Sequence, residues 1–282
     1  MSHSFWFKAL VIFFTGVVCM ELLFYHKPVV THYEVESSQI PVQFHEFTIL
    51  HISDFHNASF GHQQESLVSI VDAIAPSIIV FTGDLIERRY DVNTQGLVLM
   101  EQLTNRYPVY FVTGNHEESM PHASYEQLLE DLQDKKVTLL NDTSIVLTKE
   151  ESHLLLMGLR DALATDPSNY ASLLEQMRKE CGQDLFSLLL AHRPEFFNQY
   201  VEAQVDVVFS GHTHGGQIRI PWFGGIYAPN QGFFPTYMEG EYKQSRTRMF
   251  VNRGLGATVL PFRLFNPPDI SVIQLLHCDD RD

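Results

Sequence analysis

The segment FTILHISDFH, residues 47–56, decides the fold because it joins a strand pattern to a polar end. Phe47 to Ser53 combines apolar and β-branched residues, which is typical of a strand. Asp54 and His56 follow at once, and side chains two residues apart on extended backbone point the same way. The segment therefore predicts a strand that delivers a carboxylate and an imidazole to one place.

Strand and helix signals alternate along the chain after this segment. Helices are predicted over about residues 63–75, around 98–103, and over 125–134 and 171–179. The predicted strands between them are Ser77 to Thr82, Val109 to Thr113, Phe186 to Ala191 and Val205 to Ser210. Alternation of this kind indicates an α/β fold.

Further strand signals predict a second sheet beside the first. Ser144 to Thr148 and His153 to Met157 flank a charged turn and predict a hairpin. Met249 to Asn252 and Ile270 to Leu276 are expected to complete this second sheet. The sequence contains no internal repeat or long linker that would mark a second catalytic domain.

Polar residues with metal-binding chemistry follow five of the predicted strands. They are Asp54-Phe-His56, Gly83-Asp84, Gly114-Asn115-His116-Glu117, His192 and Gly211-His212-Thr-His214-Gly-Gly216. Ligands of open α/β sheets bind outside the carboxyl ends of strands, so these residues are predicted to converge. Carboxylate and imidazole ligands suit Mn, Fe, Co, Ni or Zn, and the absence of thiolates argues against a structural zinc site. Asp84 follows a small glycine, and its carboxylate has two oxygens. It is therefore the candidate to bridge two ions.

These motifs, in this order, closely resemble those of the calcineurin-like metallophosphoesterase family over roughly residues 47–277. The resemblance implies a four-layer α/β/β/α sandwich over residues 45–278 and two divalent ions, with Mn, Fe or Zn expected. It assigns the ligands of one ion as Asp54, His56, Asp84 and His214, and those of the other as Asp84, Asn115, His192 and His212. His116 is then expected to handle a proton on the substrate, with Glu117 or a backbone carbonyl fixing its tautomer.

The expected activity is cleavage of a phosphodiester or pyrophosphate bond by two-metal hydroxide attack. Several later segments, among them PWFGGIYAP at residues 221–229, resemble the membrane-associated YkuE/YaeI-like branch of the family. That branch includes phosphodiesterases and enzymes that split UDP-2,3-diacylglucosamine. The resemblance therefore implies a phosphate ester or diphosphate substrate, which in this branch extends to lipid-linked compounds.

The amino-terminal segment predicts a transmembrane signal-anchor helix over residues 5–25. About 20 largely apolar residues match a hydrocarbon core of about 30 Å. A cleaved signal peptide and a buried core helix are the alternatives, weakened by the missing cleavage site and by apolar residues on all sides. Lys8 near the start of the segment, with the amino terminus, stands against Lys27, Glu34 and Glu36 on the other side. This asymmetry favours a single-pass protein of the cell membrane with an extracytoplasmic catalytic domain.

Charge bears on the alternative functions. Lysine and arginine total 19 against 34 acidic residues, for a net charge of -15. Such a charge repels a polyanion, so no nucleic-acid partner is expected and a nuclease is disfavoured. A metal-free interaction scaffold on the same fold is the other alternative, although the expected ligands and His116 are all present.

Two groups of residues keep open interpretations. Seven aromatic residues either line an acyl or base pocket near the ions or form a local core: Trp222, Phe223, Tyr227, Phe233, Phe234, Tyr237 and Tyr242. Arg193 and Arg253 either contact a substrate phosphate or form ordinary salt bridges. Neither arginine is assigned to catalysis.

Overall fold

Two six-stranded sheets form the centre of the computed structural model, which describes residues 3–24, 27–87, 94–181, 184–216, 218–220, 222–257 and 263–279. The first sheet contains β1 (Val29–Ser37), β2 (Phe47–Ile52), β3 (Ile78–Thr82), β4 (Val109–Val112), β5 (Thr138–Leu139) and β16 (Asp269–His277). Its order is β1-β16-β2-β3-β4-β5, and all neighbours are parallel except β16 and β2.

The second sheet contains β6 (Thr143–Lys149), β7 (Ser152–Leu159), β8 (Ser187–Ala191), β9 (Val207–Ser210), β14 (Gly240–Gln244) and β15 (Thr247–Val251). Its order is β14-β15-β9-β8-β7-β6, with antiparallel pairs at both edges and parallel pairs between them. The predicted hairpin is confirmed as β6 and β7. Between β9 and β14 lie four two-residue strands: β10 (Arg219–Ile220), β11 (Gly224–Gly225), β12 (Tyr227–Ala228) and β13 (Gly232–Phe233).

Helices cover the outer face of each sheet, which confirms the α/β fold. Those over the first sheet are α2 (Glu65–Ile74), α3 (Thr94–Thr104) and α5 (His122–Asp134), and those over the second are α6 (Tyr170–Cys181) and α7 (Phe197–Glu202). A third apolar core lies between the sheets, where Ile49 and Val80 face Leu156 and Phe209. Three cores separate four layers, the α/β/β/α order that the family resemblance implied.

The prediction for the last strand is wrong. Ile270 to Leu276 was expected in the second sheet, but β16 lies in the first, parallel to β1 and antiparallel to β2. Its buried residues alternate between a helix-facing core and the core between the sheets, and that pattern would suit either sheet. Strand β1 begins at Val29, before the expected domain start at residue 45, and pairs with β16 along its whole length.

The amino-terminal helix α1 extends from His3 to Phe24. Among the residues that the structure describes, no helix is both long enough and apolar enough to cross a bilayer. The predicted transmembrane anchor at residues 5–25, whose last residue lies outside the described part, is therefore not supported.

Candidate metal centre

The predicted ligands lie together at the carboxyl ends of five strands, two of them in the second sheet. Asp54 and His56 follow β2, Asp84 follows β3, and a short helix α4 (Asn115–Glu118) follows β4. His192 follows β8, and His212 and His214 follow β9. The parallel strands bring these ends to one edge, as expected for an α/β sheet.

Four of these side chains form the first group: Asp54, His56, Asp84 and His214. Their ligand atoms all lie within 4.8 Å of one another. The Nε2 atoms of His56 and His214 are 3.1 Å apart, and Asp84 Oδ2 lies 3.6 Å from His56 Nε2. Two nitrogens and two carboxylates thus face one small buried space, which fits a divalent cation.

The second group is built around the same aspartate. Asp84 Oδ2 lies 3.4 Å from His192 Nε2, which in turn lies 3.1 Å from His212 Nδ1. The amide oxygen of Asn115 is 3.1 Å from His192 Nε2. The structure therefore arranges the seven side chains in the two groups that the resemblance implied, with Asp84 in both, and their binding of ions stays a prediction.

The backbone at these positions is unusual. Asp54, His56, Asp84, His212 and His214 all have φ between 48° and 69°. This left-handed region is uncommon for residues other than glycine, and such backbone persists only where the surroundings hold it. Five of the seven candidate ligands share this backbone, so the surrounding contacts must hold them in place.

Hydrogen bonds behind the candidate ligands orient them. The ring nitrogen Nδ1 of His192 lies 2.7 Å from the carbonyl oxygen of Thr82, so this nitrogen carries hydrogen and Nε2 faces Asp84. The backbone N–H groups of His212 and His116 donate to Asp54 and Asp84, at 2.9 Å in each case. Such outer contacts fix the tautomer and direction of metal-binding side chains.

The role suggested for Glu117 is wrong. Its buried carboxylate accepts from the backbone N–H groups of Asp84, Ile86 and Gly114, at 2.8–3.1 Å, and so braces two loops. Burial, together with the nearby Asp84, raises the pKa of Glu117 to about 7. It therefore acts on the backbone rather than on the tautomer of His116.

Glu87 instead faces His116, and sequence reasoning missed it. Its carboxylate lies 3.4 Å from His116 Nδ1 and 3.8 Å from His56 Nδ1. The side chain is 7% exposed. The sequence contained one signal for this residue. Glu87 is an acid only three positions after Asp84, near enough along the chain for its side chain to reach the same strand end.

Burial controls the charge of this centre. It lowers the pKa of His56 to about 3 and holds those of His212 and His214 well below their usual range. Burial acts in the same direction on His192, but the Asp84 carboxylate outweighs it and raises the pKa of His192. Burial also raises the pKa of Asp54 to about 7. The neutral imidazoles of His56, His212 and His214 suit a cation, and His192 would release a proton when an ion binds.

The two arginines with open interpretations form salt bridges. Arg193 donates from Nε and Nη2 to Asp161, at 2.6 and 3.0 Å, in a largely buried pair. Arg253 donates from Nη2 to Asp269 at 3.0 Å. These contacts support the salt-bridge interpretation for both.

The aromatic run divides into two parts. Tyr237 and Tyr242 pack against the core between the second sheet and its helices. Trp222, Phe223, Tyr227, Phe233 and Phe234 are instead 50–99% exposed, on or beside the small strands β10 to β13. The first pair matches a local core, and the second group forms an open apolar surface.

The family model described as Calcineurin-like phosphoesterase matches residues 47–216, which contain all seven candidate ligands. The chain belongs to the calcineurin-like phosphoesterase family, as its motifs suggested. It is a metallophosphoesterase, a metal-dependent hydrolase of phosphate esters.

Similar proteins carry the same description. An uncharacterized metallophosphoesterase of Bacillus subtilis, YkuE, is 30% identical over 87% of this chain and 84% of its own length. A transmembrane protein with metallophosphoesterase domain from Bos taurus is 28% identical over 88% of this chain. The chain spans 57% of that protein, and 60% of a similar uncharacterized metallophosphoesterase of Helicobacter pylori.

Solved structures share the fold at low identity. A 5'-nucleotidase precursor from Thermus thermophilus has a TM-score of 0.51 and 13% identity, over 74% of this chain and 49% of its own. NAD nucleotidase of Haemophilus influenzae has a TM-score of 0.50 and 16% identity, over 74% of this chain and 45% of its own. At this identity the likeness shows the fold alone.

Proposed function

We propose that this protein hydrolyses a phosphodiester or pyrophosphate bond at a site for two divalent ions. One observation carries the proposal: Asp84 lies between two facing pairs of ring nitrogens, each pair 3.1 Å apart. A carboxylate shared by two such groups is suited to bridging two ions. When bound, the ions would activate water and stabilise negative charge on the phosphoryl group.

The side chains assign distinct tasks within this site. Asp54, His56, Asp84 and His214 would hold one ion, and Asp84, Asn115, His192 and His212 the other, with Mn, Fe or Zn expected. His116 lies at the rim with its side chain 12% exposed, so substrate can reach it. A protonated His116 would give its hydrogen to the leaving oxygen, and Glu87 would keep that ring oriented.

The exposed aromatic side chains support the proposal that the substrate carries an apolar group. Tyr227 and Phe233 face each other across β12 and β13, with ring centroids 5.5 Å apart. Trp222 and Phe223, on the preceding small turn, are 99% and 80% exposed. Such surface near a polar centre suits a lipid-linked substrate of the UDP-2,3-diacylglucosamine type, because acyl chains would cover it.

The test combines metal analysis with a substrate screen. Purified protein should contain two ions per chain after loading with Mn and should hydrolyse bis-p-nitrophenyl phosphate. The screen then compares nucleoside-diphosphate lipids, simple phosphodiesters and phosphomonoesters. Protein with neither bound metal nor turnover would overturn the proposal and favour the scaffold alternative.

Preferences within the screen decide the finer parts. Faster turnover of monoesters than of diesters and pyrophosphates would overturn the bond class. Equal turnover of acylated and unacylated diphosphates would remove the lipid-linked part alone. Cleavage of DNA that falls steeply with added salt would identify the nuclease alternative instead.

A further inference from the structure

A small hairpin reaches the candidate metal centre from outside the motifs. Strands β12 and β13 are joined by a turn at Pro229, Asn230 and Gln231. Asn230 is exposed and has φ 58°, yet its amide nitrogen lies 2.9 Å from Nε2 of His212. The hairpin therefore contacts a predicted ligand directly.

The two nitrogens of the His212 ring face different groups. Nδ1 lies 3.1 Å from His192 Nε2, within the group that includes Asp84. Nε2 points away from that group and meets Asn230. An imidazole that offers its Nδ1 lone pair to a cation carries hydrogen on Nε2 and needs an acceptor there.

Asparagine can supply that acceptor. Its side-chain amide carries a donor and an acceptor on one carbon, and half a turn about the last side-chain bond exchanges them. With Oδ1 toward His212, Asn230 accepts the hydrogen of Nε2 and leaves the Nδ1 lone pair directed at Asp84 and His192. Within the part of the chain that the structure describes, His212 Nε2 makes no hydrogen bond other than this one.

We propose that Asn230 is a positioning residue for the metal centre, which fixes the tautomer and ring direction of His212. This inference rests on the proposed function, since it assumes that His212 holds an ion. The same contact places the hairpin, with Tyr227 and Phe233, at the edge of the centre. The open apolar surface and the ligand shell are thereby joined through one side chain.

Other contacts brace this region independently of the Asn230 side chain. Gln231 donates from Nε2 to the carbonyl of Tyr237, at 2.7 Å, and accepts from the Tyr237 N–H at 3.0 Å. The Thr213 hydroxyl donates to the Met238 carbonyl at 2.7 Å. Removing the Asn230 amide should therefore leave the hairpin in place.

A simpler role for Asn230 is to adopt a left-handed turn, which asparagine tolerates well. Two variants separate the roles. Asn230→Gly keeps the turn, because glycine adopts positive φ freely, and removes the amide. Asn230→Asp keeps both an allowed turn residue and an acceptor oxygen for His212.

The measurement is Mn²⁺ affinity of the metal-free protein by isothermal titration calorimetry, with kcat and KM for bis-p-nitrophenyl phosphate alongside. Loss of an outer-shell partner typically weakens metal binding about 10- to 100-fold, and this loss is expected for Asn230→Gly. Asn230→Asp should bind Mn²⁺ within about threefold of the unchanged protein, by the same reasoning. KM in saturating Mn²⁺ should change little in both variants.

Two results would overturn the inference. One is unchanged Mn²⁺ affinity in Asn230→Gly, which would leave the asparagine with a turn role only. The other is equal weakening in Asn230→Asp and Asn230→Gly, which would show that an acceptor at this place does nothing. If the unchanged protein binds no Mn²⁺, the proposed function fails first, and the two failures are thereby distinguished.

Discussion

The candidate metal centre and the aromatic hairpins beside it are built in opposite ways. His56, Asp84 and His192 are at most 6% exposed, and hydrogen bonds with backbone groups hold Asp54, Asp84 and His192 in place. Trp222 and Phe234 are 99% and 77% exposed. Groups that perform chemistry must be held in one geometry, whereas groups that recognise an apolar substrate gain from remaining accessible. We therefore expect substitutions in the two regions to have different consequences.

The largest effect is expected at the aspartate common to both groups. Asp84→Asn removes the carboxylate that we propose to bridge two ions, and activity should fall by about a thousandfold or more. Metal content should fall with it. Both quantities can be measured by initial rates and by elemental analysis, with circular dichroism as a control for folding. Activity within tenfold of the unchanged protein would show that Asp84 does not bridge the ions.

Acidic pH should lower the stability of the folded protein through His51. This side chain is fully buried against Phe209 and Thr82, and burial lowers the pKa of His51 to about 3. The unfolded chain takes up a proton near pH 6.5, while the folded chain does not. The stability that the neutral ring contributes is thus present above pH 6.5 and is lost as pH falls toward 3.

The matched variant is His51→Gln, which keeps a polar partner for Thr82 and cannot titrate. Between pH 7 and pH 5 the unchanged protein should lose about 2 kcal/mol more unfolding free energy than the variant. Urea unfolding in a chelator, at both pH values, measures the difference. Parallel losses in the two proteins would show that His51 is protonated in the folded state.

A moderate effect is expected at Glu87, which is buried beside the candidate metal centre but is not one of the candidate ligands. Glu87→Gln keeps the volume and removes the charge that faces His116, so kcat should fall about tenfold. The same change should leave KM nearly unchanged, because the role proposed for His116 concerns the leaving oxygen rather than substrate binding. Stopped-time assays across pH 6–9 measure both. A change in KM alone would place Glu87 in substrate binding.

The smallest effect, and the one most selective for the hairpins, is expected for the double change Trp222→Ser with Phe223→Ser. Removing two exposed aromatic rings should raise KM for an acylated diphosphate about three- to tenfold, given about 1 kcal/mol of lost apolar contact. Turnover of bis-p-nitrophenyl phosphate and the midpoint of unfolding should not change. An equal effect on both substrates would show that these rings support the site rather than the substrate.

The motif residues of the metal centre and the local hairpin were the features that the sequence could predict. Asp54, His56 and the other motif residues follow strands directly, so their convergence follows from the rule that parallel strands end at one edge. The hairpin of β6 and β7 follows from local alternation around a charged turn. Both depend on short stretches of chain, and both were predicted.

Features that depend on distant contacts were not predicted. The apolar pattern of Asp269–His277 fits either sheet, and only its pairing with β1 and β2 selects the first. Glu87 and Glu117 are both acids near motif residues, and the folded loops alone decide which of them faces His116. Asn230 lies in a segment with no metal motif, and its contact with His212 arises when the hairpin folds back.

The division of the candidate ligands between two sheets has a consequence for folding. His56 and His214 belong to different sheets and are separated by 158 positions in the chain, yet their rings meet. An ion held between them would close that long loop, as a cross-link does, and would favour the folded chain in proportion to its free concentration. Removing metal should leave the apolar core and the hydrogen bonds between the loops to join the two sheets. Cellular supply of the metal would then govern the lifetime of the folded protein as well as its activity.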